Sequence, residues 1–170
     1  MIAITGHTKG FGKALFDSTE SIGFSRSNGY DITKDNDRAK IISEIKNCDV
    51  FINNACDNYG QIDMLYDVYD AWKDTNKTII SVGSLASNGA EWRLKPMKYS
   101  VIKKALDIAT WQLVNSHHRK CRVLIFKPGY FEGNPAVYDI YTAIKYKDAV
   151  KYILNLINSD NEIVETVMRS

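Results

Sequence analysis

Thr5-Gly6-His7-Thr8-Lys9-Gly10-Phe11-Gly12 follows directly on the apolar run Ile2-Ala3-Ile4. A short apolar run closed by glycines reads as a buried strand ending in a tight turn. Gly6, Gly10 and Gly12 let the backbone turn sharply and approach a phosphate with no Cβ in the way. The N–H groups that open the next helix then face that phosphate. Further along, Tyr99 and Lys103 stand four residues apart, the spacing of one helical face, and Ser84 precedes the tyrosine by fifteen residues. A phenol of pKa near 10 exchanges its proton sluggishly at neutral pH, and a nearby ammonium lowers that pKa. The pair is therefore a candidate acid/base device, with Ser84 as a hydroxyl partner. Either element alone is weak; in this order they predict a nucleotide-binding α/β domain with its own proton-transfer groups.

Short apolar runs alternate with helix-period segments along the whole chain, which predicts a parallel sheet with crossover helices in a single domain, residues 1–170. Strands are expected at about 2–5, 21–25, 29–32, 49–53, 78–82, 121–127 and 162–168. Asp35 is the expected cap of a helix burying Ala39, Ile42 and Ile45. Ile62, Leu65, Tyr69 and Trp72 mark one face of a helix over 61–73, and a longer helix runs from about Tyr99 to Asn115.

The chain resembles the short-chain dehydrogenases/reductases. The resemblance rests on the glycine turn, written TGxxxGxG in that family, then Asp31-Ile32-Thr33 and Asn53-Asn54-Ala55-Cys56, where the family has NNAG. Ser81-Val82-Gly83-Ser84, the Tyr99/Lys103 pair and Lys127-Pro128-Gly129 complete it. It implies a Rossmann-type, doubly wound sheet of strand order 3-2-1-4-5-6-7 with a dinucleotide at the switch point. It also implies Tyr99 as general acid/base, Lys103 on the nicotinamide ribose and Ser84 on the substrate oxygen. The cofactor would lie along Gly6, Thr8, Lys9, Gly10, Phe11 and Gly12, then Asp31 and Ile32 at the adenine and Asn53, Asn54 and Ala55 along the adenosine. Tyr99, Lys103, Pro128, Gly129 and Phe131 would face the nicotinamide half. Ser87 competes with Ser84. The family's fourth catalytic residue, an asparagine, has no fixed counterpart: Asp57, Asn58, Gln61 and Asp63 are all open. A family threonine after Phe131 is absent, with Gly133 in its place.

The end of the second strand reads Gly23-Phe24-Ser25-Arg26-Ser27, with no acid before Asp31. An arginine fork with serine hydroxyls on either side favours a 2′-phosphate over a 2′-hydroxyl, and Lys9 adds a second cation. NADP(H) is therefore expected over NAD(H).

The chain is short for this resemblance. Only about 28 residues separate Cys56 from Ser84, no helix fits between Arg26 and Asp31, and the expected substrate lid, around 130–146, is brief. Glu91–Lys98 brings Arg93, Lys95 and Lys98 near Tyr99, with Trp92 as a wall, either to attract an anionic substrate or as a solvated loop. Tyr130, Phe131, Tyr138 and Tyr141 are candidates for the far wall.

A net charge of +2, with dispersed basic residues, gives no nucleic-acid signature, and no run is long enough to span a membrane. Cys48, Cys56 and Cys121 lack metal-ligand spacing or pairing, so no metal and no disulfide are expected. With Met1 leading straight into the first strand, a cytoplasmic location with reduced, buried thiols is expected. The resemblance also implies pairing through the helices over 61–73 and 99–115, whose Trp72 and Trp111 look too large for a small monomer to bury; a homodimer or homotetramer is expected, with Trp111 as core the alternative. The leading function is an NADP(H)-dependent oxidoreductase acting on a small carbonyl or alcohol. The rivals are a non-catalytic NADP(H)-binding protein and a nucleotide-sugar epimerase or dehydratase.

Overall fold

The computed structural model describes residues 1–90, 97–133, 143–159 and 163–169. Six strands form one parallel sheet: β1 (Ile2–Thr5), β2 (Ser21–Phe24), β3 (Val50–Asn53), β4 (Thr78–Val82), β5 (Arg122–Pro128) and β6 (Glu165–Met168). Their order is β2-β1-β3-β4-β5-β6. The helices are α1 (Gly10–Asp17), α2 (Asp35–Glu44), α3 (Gly60–Trp72), α4 (Lys98–Val114) and α5 (Tyr146–Ile157).

Alternation along the strands sends side chains to two cores. Ile4, Ile52, Ile80, Leu124 and Phe126 meet Phe11 and Leu15 of α1 and Val150 and Ile153 of α5. Ala3, Phe51, Ile79, Val123 and Ile125 meet Ile41 of α2, Leu65 and Val68 of α3, and Leu106 and Leu113 of α4. The result is three layers, helix–sheet–helix. The chain runs from β1 outward to β2, then returns to place β3 on the other side of β1. The crevice therefore opens at the carboxyl ends of β1 and β3, where an open α/β sheet binds its ligands.

The expected strand over 29–32 does not form. Gly29 takes φ +93° and the Tyr30 amide turns back to the Ser25 carbonyl at 2.9 Å. A parallel crossover needs about a dozen residues, and too few lie between Phe24 and Gly29, so the chain makes a 3₁₀ turn, Arg26–Asn28, instead. β2 becomes the edge of the sheet. Asn28 covers that edge: its Nδ2 donates to the Gly23 carbonyl at 2.8 Å, and its Oδ1 accepts from the Ser25 amide at 2.8 Å. The remaining strands keep the expected order without that one.

Two smaller expectations also change. Asp35 is the first helical residue of α2, not its cap, and accepts from Arg38 at 2.9 Å one turn on. Trp72 lies in the core, 3% exposed, edge-on to Phe51, so it offers no face to a second copy. Trp111 is exposed on α4.

The glycine turn is fixed by its neighbours. Thr5 Oγ1 accepts from the Asn54 and Ala55 amides at 3.0 Å each, and Asn54 Nδ2 bonds the Thr5 and Gly6 carbonyls at 3.2 Å. Gly6 and Gly10 hold φ of +71° and +56°. At Gly12 the constraint is space: a Cβ would sit 2.2 Å from the Gly6 carbonyl oxygen and 2.5 Å from Asn54 Nδ2. Gly12→Ala is expected to destabilise the fold by about 1–3 kcal/mol, as overpacking against fixed backbone does. It should also open the turn. Urea denaturation measures the first effect and nucleotide titration the second; an unchanged midpoint with unchanged binding would refute this reading of the turn.

Candidate active site

One cleft of roughly 1330 Å³ runs over the carboxyl ends of the strands. It exceeds the about 300–1,000 Å³ of common small-molecule pockets, as an extended dinucleotide beside a small second molecule requires. At one end the turn brings in Gly6, Thr8, Lys9, Gly10, Phe11 and Gly12. Ser25, Arg26, Ser27, Asp31 and Ile32 lie beyond them, and Asn54 and Ala55 line the floor. The other end holds Ser84, Tyr99, Lys103, Pro128, Gly129 and Phe131. Of the residues expected at the cofactor, Asn53 alone stays out of the cleft. It is fully buried, and its Nδ2 donates to the Gln61 carbonyl at 2.7 Å. An inward-facing position at the end of a central strand makes it a strut.

The glycine-turn end offers donors suited to a phosphate. Lys9 caps α1 without a side-chain hydrogen bond, so no capping side chain satisfies the first-turn amides. A Cβ at Gly10 would meet only the Tyr146 hydroxyl, at 3.5 Å, so the backbone there is open to close approach. Asp31 accepts from the Thr33 hydroxyl at 2.7 Å and its amide at 3.0 Å, which holds the Asp31 carboxyl below its usual range.

At the catalytic end, Tyr99 opens the first turn of α4 and Ser84 ends the loop after β4. The Ser84 hydroxyl lies near enough to the phenol to favour its ionised form, which by itself lowers the Tyr99 pKa. Tyr99 keeps 44% of its surface exposed, yet partial burial outweighs the effect of Ser84 and raises the phenol above its ordinary value. The sequence led us to expect a phenol depressed by Lys103; the structure places that cation under the ring face, 5.6 Å from its centroid. Lys103 Nζ is engaged elsewhere, donating to Gln61 Oε1 and to the Val82 carbonyl at 2.8 Å each. Burial pushes Lys103 below its ordinary value of 10.5. Ser87 is buried away from the cleft, its Oγ bonded to Asp107 Oδ2 at 2.6 Å, which leaves Ser84 as the serine of the site.

Gln61 is one of the four alternatives that the sequence left open. It is fully buried in the first turn of α3, with Nε2 on the Asn53 carbonyl at 2.6 Å and the Val82 carbonyl at 3.1 Å. Its amide ties β3 to β4 and presents its oxygen to Lys103. Of the other three, Asp57 and Asn58 stay at the rim, and Asp63 lies beside Arg38 at 4.0 Å. The signal was available: a glutamine on the apolar face of a helix must find partners inside.

Phe131 stacks on Phe11, with centroids 5.0 Å apart, and leans on Tyr146 at 5.1 Å, walling the cleft on that side. Cys48 and Cys121 are buried, whereas Cys56 is exposed in the cleft, against the expectation of a buried thiol there. All three are free. Trp92, Arg93, Lys95, Tyr138 and Tyr141, and most of the expected lid, fall outside the described residues. Among the described residues, no helix is long and apolar enough to cross a membrane.

No family model and no curated protein matches the chain. Solved structures do. An alcohol dehydrogenase from the archaeon Thermococcus sibiricus, complexed with 5-hydroxy-NADP, superposes with a TM-score of 0.76 at 15% identity, covering 99% of this chain and 96% of that one. A short-chain dehydrogenase from Burkholderia cenocepacia in complex with NADP gives 0.78 at 22% identity, covering 99% and 87%. One from Leptospira borgpetersenii with bound NAD+ gives 0.76 at 16%, covering 99% and 90%. The sheet order, the glycine turn after β1 and the likeness to these structures agree: this chain has the Rossmann-type fold of the short-chain dehydrogenases/reductases.

Proposed function

We propose that this chain is an NADP(H)-dependent oxidoreductase acting on a small carbonyl or alcohol. The observation that carries this reading is that Tyr99 and Ser84 line the same cleft as the glycine turn and Arg26. A reduced nicotinamide cofactor held by the glycine turn and Arg26 would supply the hydride for the carbonyl carbon. The Ser84 hydroxyl donates to the carbonyl oxygen and orients it. Tyr99, kept protonated at neutral pH by its raised pKa, gives its proton to that oxygen as negative charge develops. The Lys103 ammonium, held by Gln61 and Val82, places positive charge beneath the phenol and offsets the phenolate left behind. In the alcohol-oxidising direction Tyr99 takes the proton back. The exposed Ile108 and Trp111 on α4 support an association of two copies.

Arg26 is the intended seat of a 2′-phosphate, with Ser25, Ser27 and Lys9 beside it. Both NADP and NAD occur among the similar structures, so the preference rests on these residues. Fluorescence titration with NADPH and NADH tests it. NADPH should bind tighter, and Arg26→Ala should weaken it about ten- to a hundredfold while leaving NADH nearly unchanged. Binding of neither nucleotide would overturn the enzyme reading altogether. The rival, a cofactor-binding protein without turnover, draws support from the engagement of Lys103 by Gln61. A panel of small aldehydes and ketones with NADPH separates the two, since only an enzyme consumes the cofactor.

A further inference from the structure

Arg26 already holds an anion. Its Nη1 donates to Asp57 Oδ2 at 3.2 Å, and the other carboxylate oxygen, Oδ1, accepts from Asn58 Nδ2 at 3.0 Å. Asn58 Oδ1 accepts in turn from Lys98 Nζ at 3.1 Å, and Asn58 sits at φ +45°, in the left-handed region. A polar chain thus follows the rim of the cleft from the end of β2 to the first turn of α4, beside Tyr99. Arg26 and Asp57 both line the cleft. The other carboxylate near Arg26, Asp31, is committed to Thr33.

We propose that Asp57 is a cofactor-specificity residue: it competes with a 2′-phosphate for Arg26 and so narrows the preference for NADPH over NADH. The inference rests on the NADP(H) reading above. The argument is electrostatic. The Arg26 side chain is 73% exposed and that of Asp57 37%, so the pair is a solvated one of small energy that a phosphate can displace. Displacement still has two costs. The Arg26–Asp57 contact is lost, and the carboxylate remains beside a more highly charged anion. Its second oxygen is held by Asn58, whose backbone is constrained, so the carboxylate does not simply swing away. A ribose 2′-hydroxyl asks for neither concession. NADH therefore binds with the pair intact, and the cation that attracts the phosphate is partly neutralised before NADPH arrives.

The test is a titration of NADPH and NADH into the wild type, Asp57→Asn, Arg26→Ala and the double variant, at low and at moderate salt. Asp57→Asn keeps the shape and an acceptor for Asn58 while removing the charge. It should tighten NADPH about three- to tenfold, more at low salt, and leave NADH within about twofold. In the Arg26→Ala background the same change should move NADPH by less than about twofold, because nothing is left to compete for. If Asp57→Asn leaves NADPH binding unchanged while Arg26→Ala weakens it, the competition is refuted and the NADP(H) reading stands. Equal tightening in both backgrounds also refutes competition, leaving only through-space repulsion. If neither single variant alters NADPH binding, Arg26 does not hold the phosphate, and the cofactor reading falls together with this inference.

Discussion

Replacing Tyr99 with phenylalanine is expected to cut kcat for carbonyl reduction by about 10³-fold, the scale of a lost general acid. NADPH binding should stay within about twofold, because the ring over Lys103 remains and only the hydroxyl is lost. The pH profile supplies the sign. Burial raises the phenol above 10.0, so its acid form persists through neutrality. Reduction should therefore be insensitive to Tyr99 titration near pH 7 and fall as pH rises through the raised phenol pKa. Alcohol oxidation, which needs the phenolate, should climb over the same range. Steady-state kinetics with NADPH on a good carbonyl substrate checks both. Wild-type turnover in Tyr99→Phe would mean that the proton comes from another group, and Ser84 would be the next to remove.

Gln61→Leu is the second large effect. It leaves the Asn53 carbonyl without the Gln61 side-chain donor and takes one of two acceptors from the Lys103 ammonium, all in a buried setting. Losses of this kind cost roughly 2–4 kcal/mol, visible as a lower Tm. Activity should fall further than stability explains, by about a hundredfold in kcat, because Lys103 loses its position under Tyr99. Gln61→Glu distinguishes positioning from packing. A carboxylate restores the acceptor and favours the charged amine, so Lys103 should titrate at higher pH than in wild type. A purely structural glutamine would lower Tm on replacement and leave the pH profile of kcat where it was.

The layered fold was legible because each strand carries apolar residues for both faces and each glycine of the first turn has a backbone reason to be there. Arg26, Ser84, Tyr99 and Lys103 were legible as types at fixed spacing, and the chain brings them to one cleft. What escaped was set by distance in space. Nothing local told that Asn53 turns inward to Gln61, since the residues beside it in the same motif face the cleft. The strand expected at 29–32 has strand-like neighbours in composition but too short a connection, a chain-length argument that outranks residue preference. The Tyr99 phenol was expected to be acidified by its lysine. Helical spacing fixes the shared face, whereas the two acceptors that draw Nζ inward come from β4 and α3.

The 3₁₀ turn Arg26–Asn28 has a consequence for anyone who redesigns this protein. An uncovered edge strand is an adhesive surface on which other chains extend the sheet. Here the residues proposed to face the cofactor ribose and the residue that blocks the Gly23 carbonyl belong to the same short turn. Changing Ser25–Ser27 to retune nucleotide choice therefore risks releasing Asn28 and exposing β2. Cofactor engineering and colloidal behaviour are coupled at this corner, so variants here should be screened for aggregation before their affinities are compared.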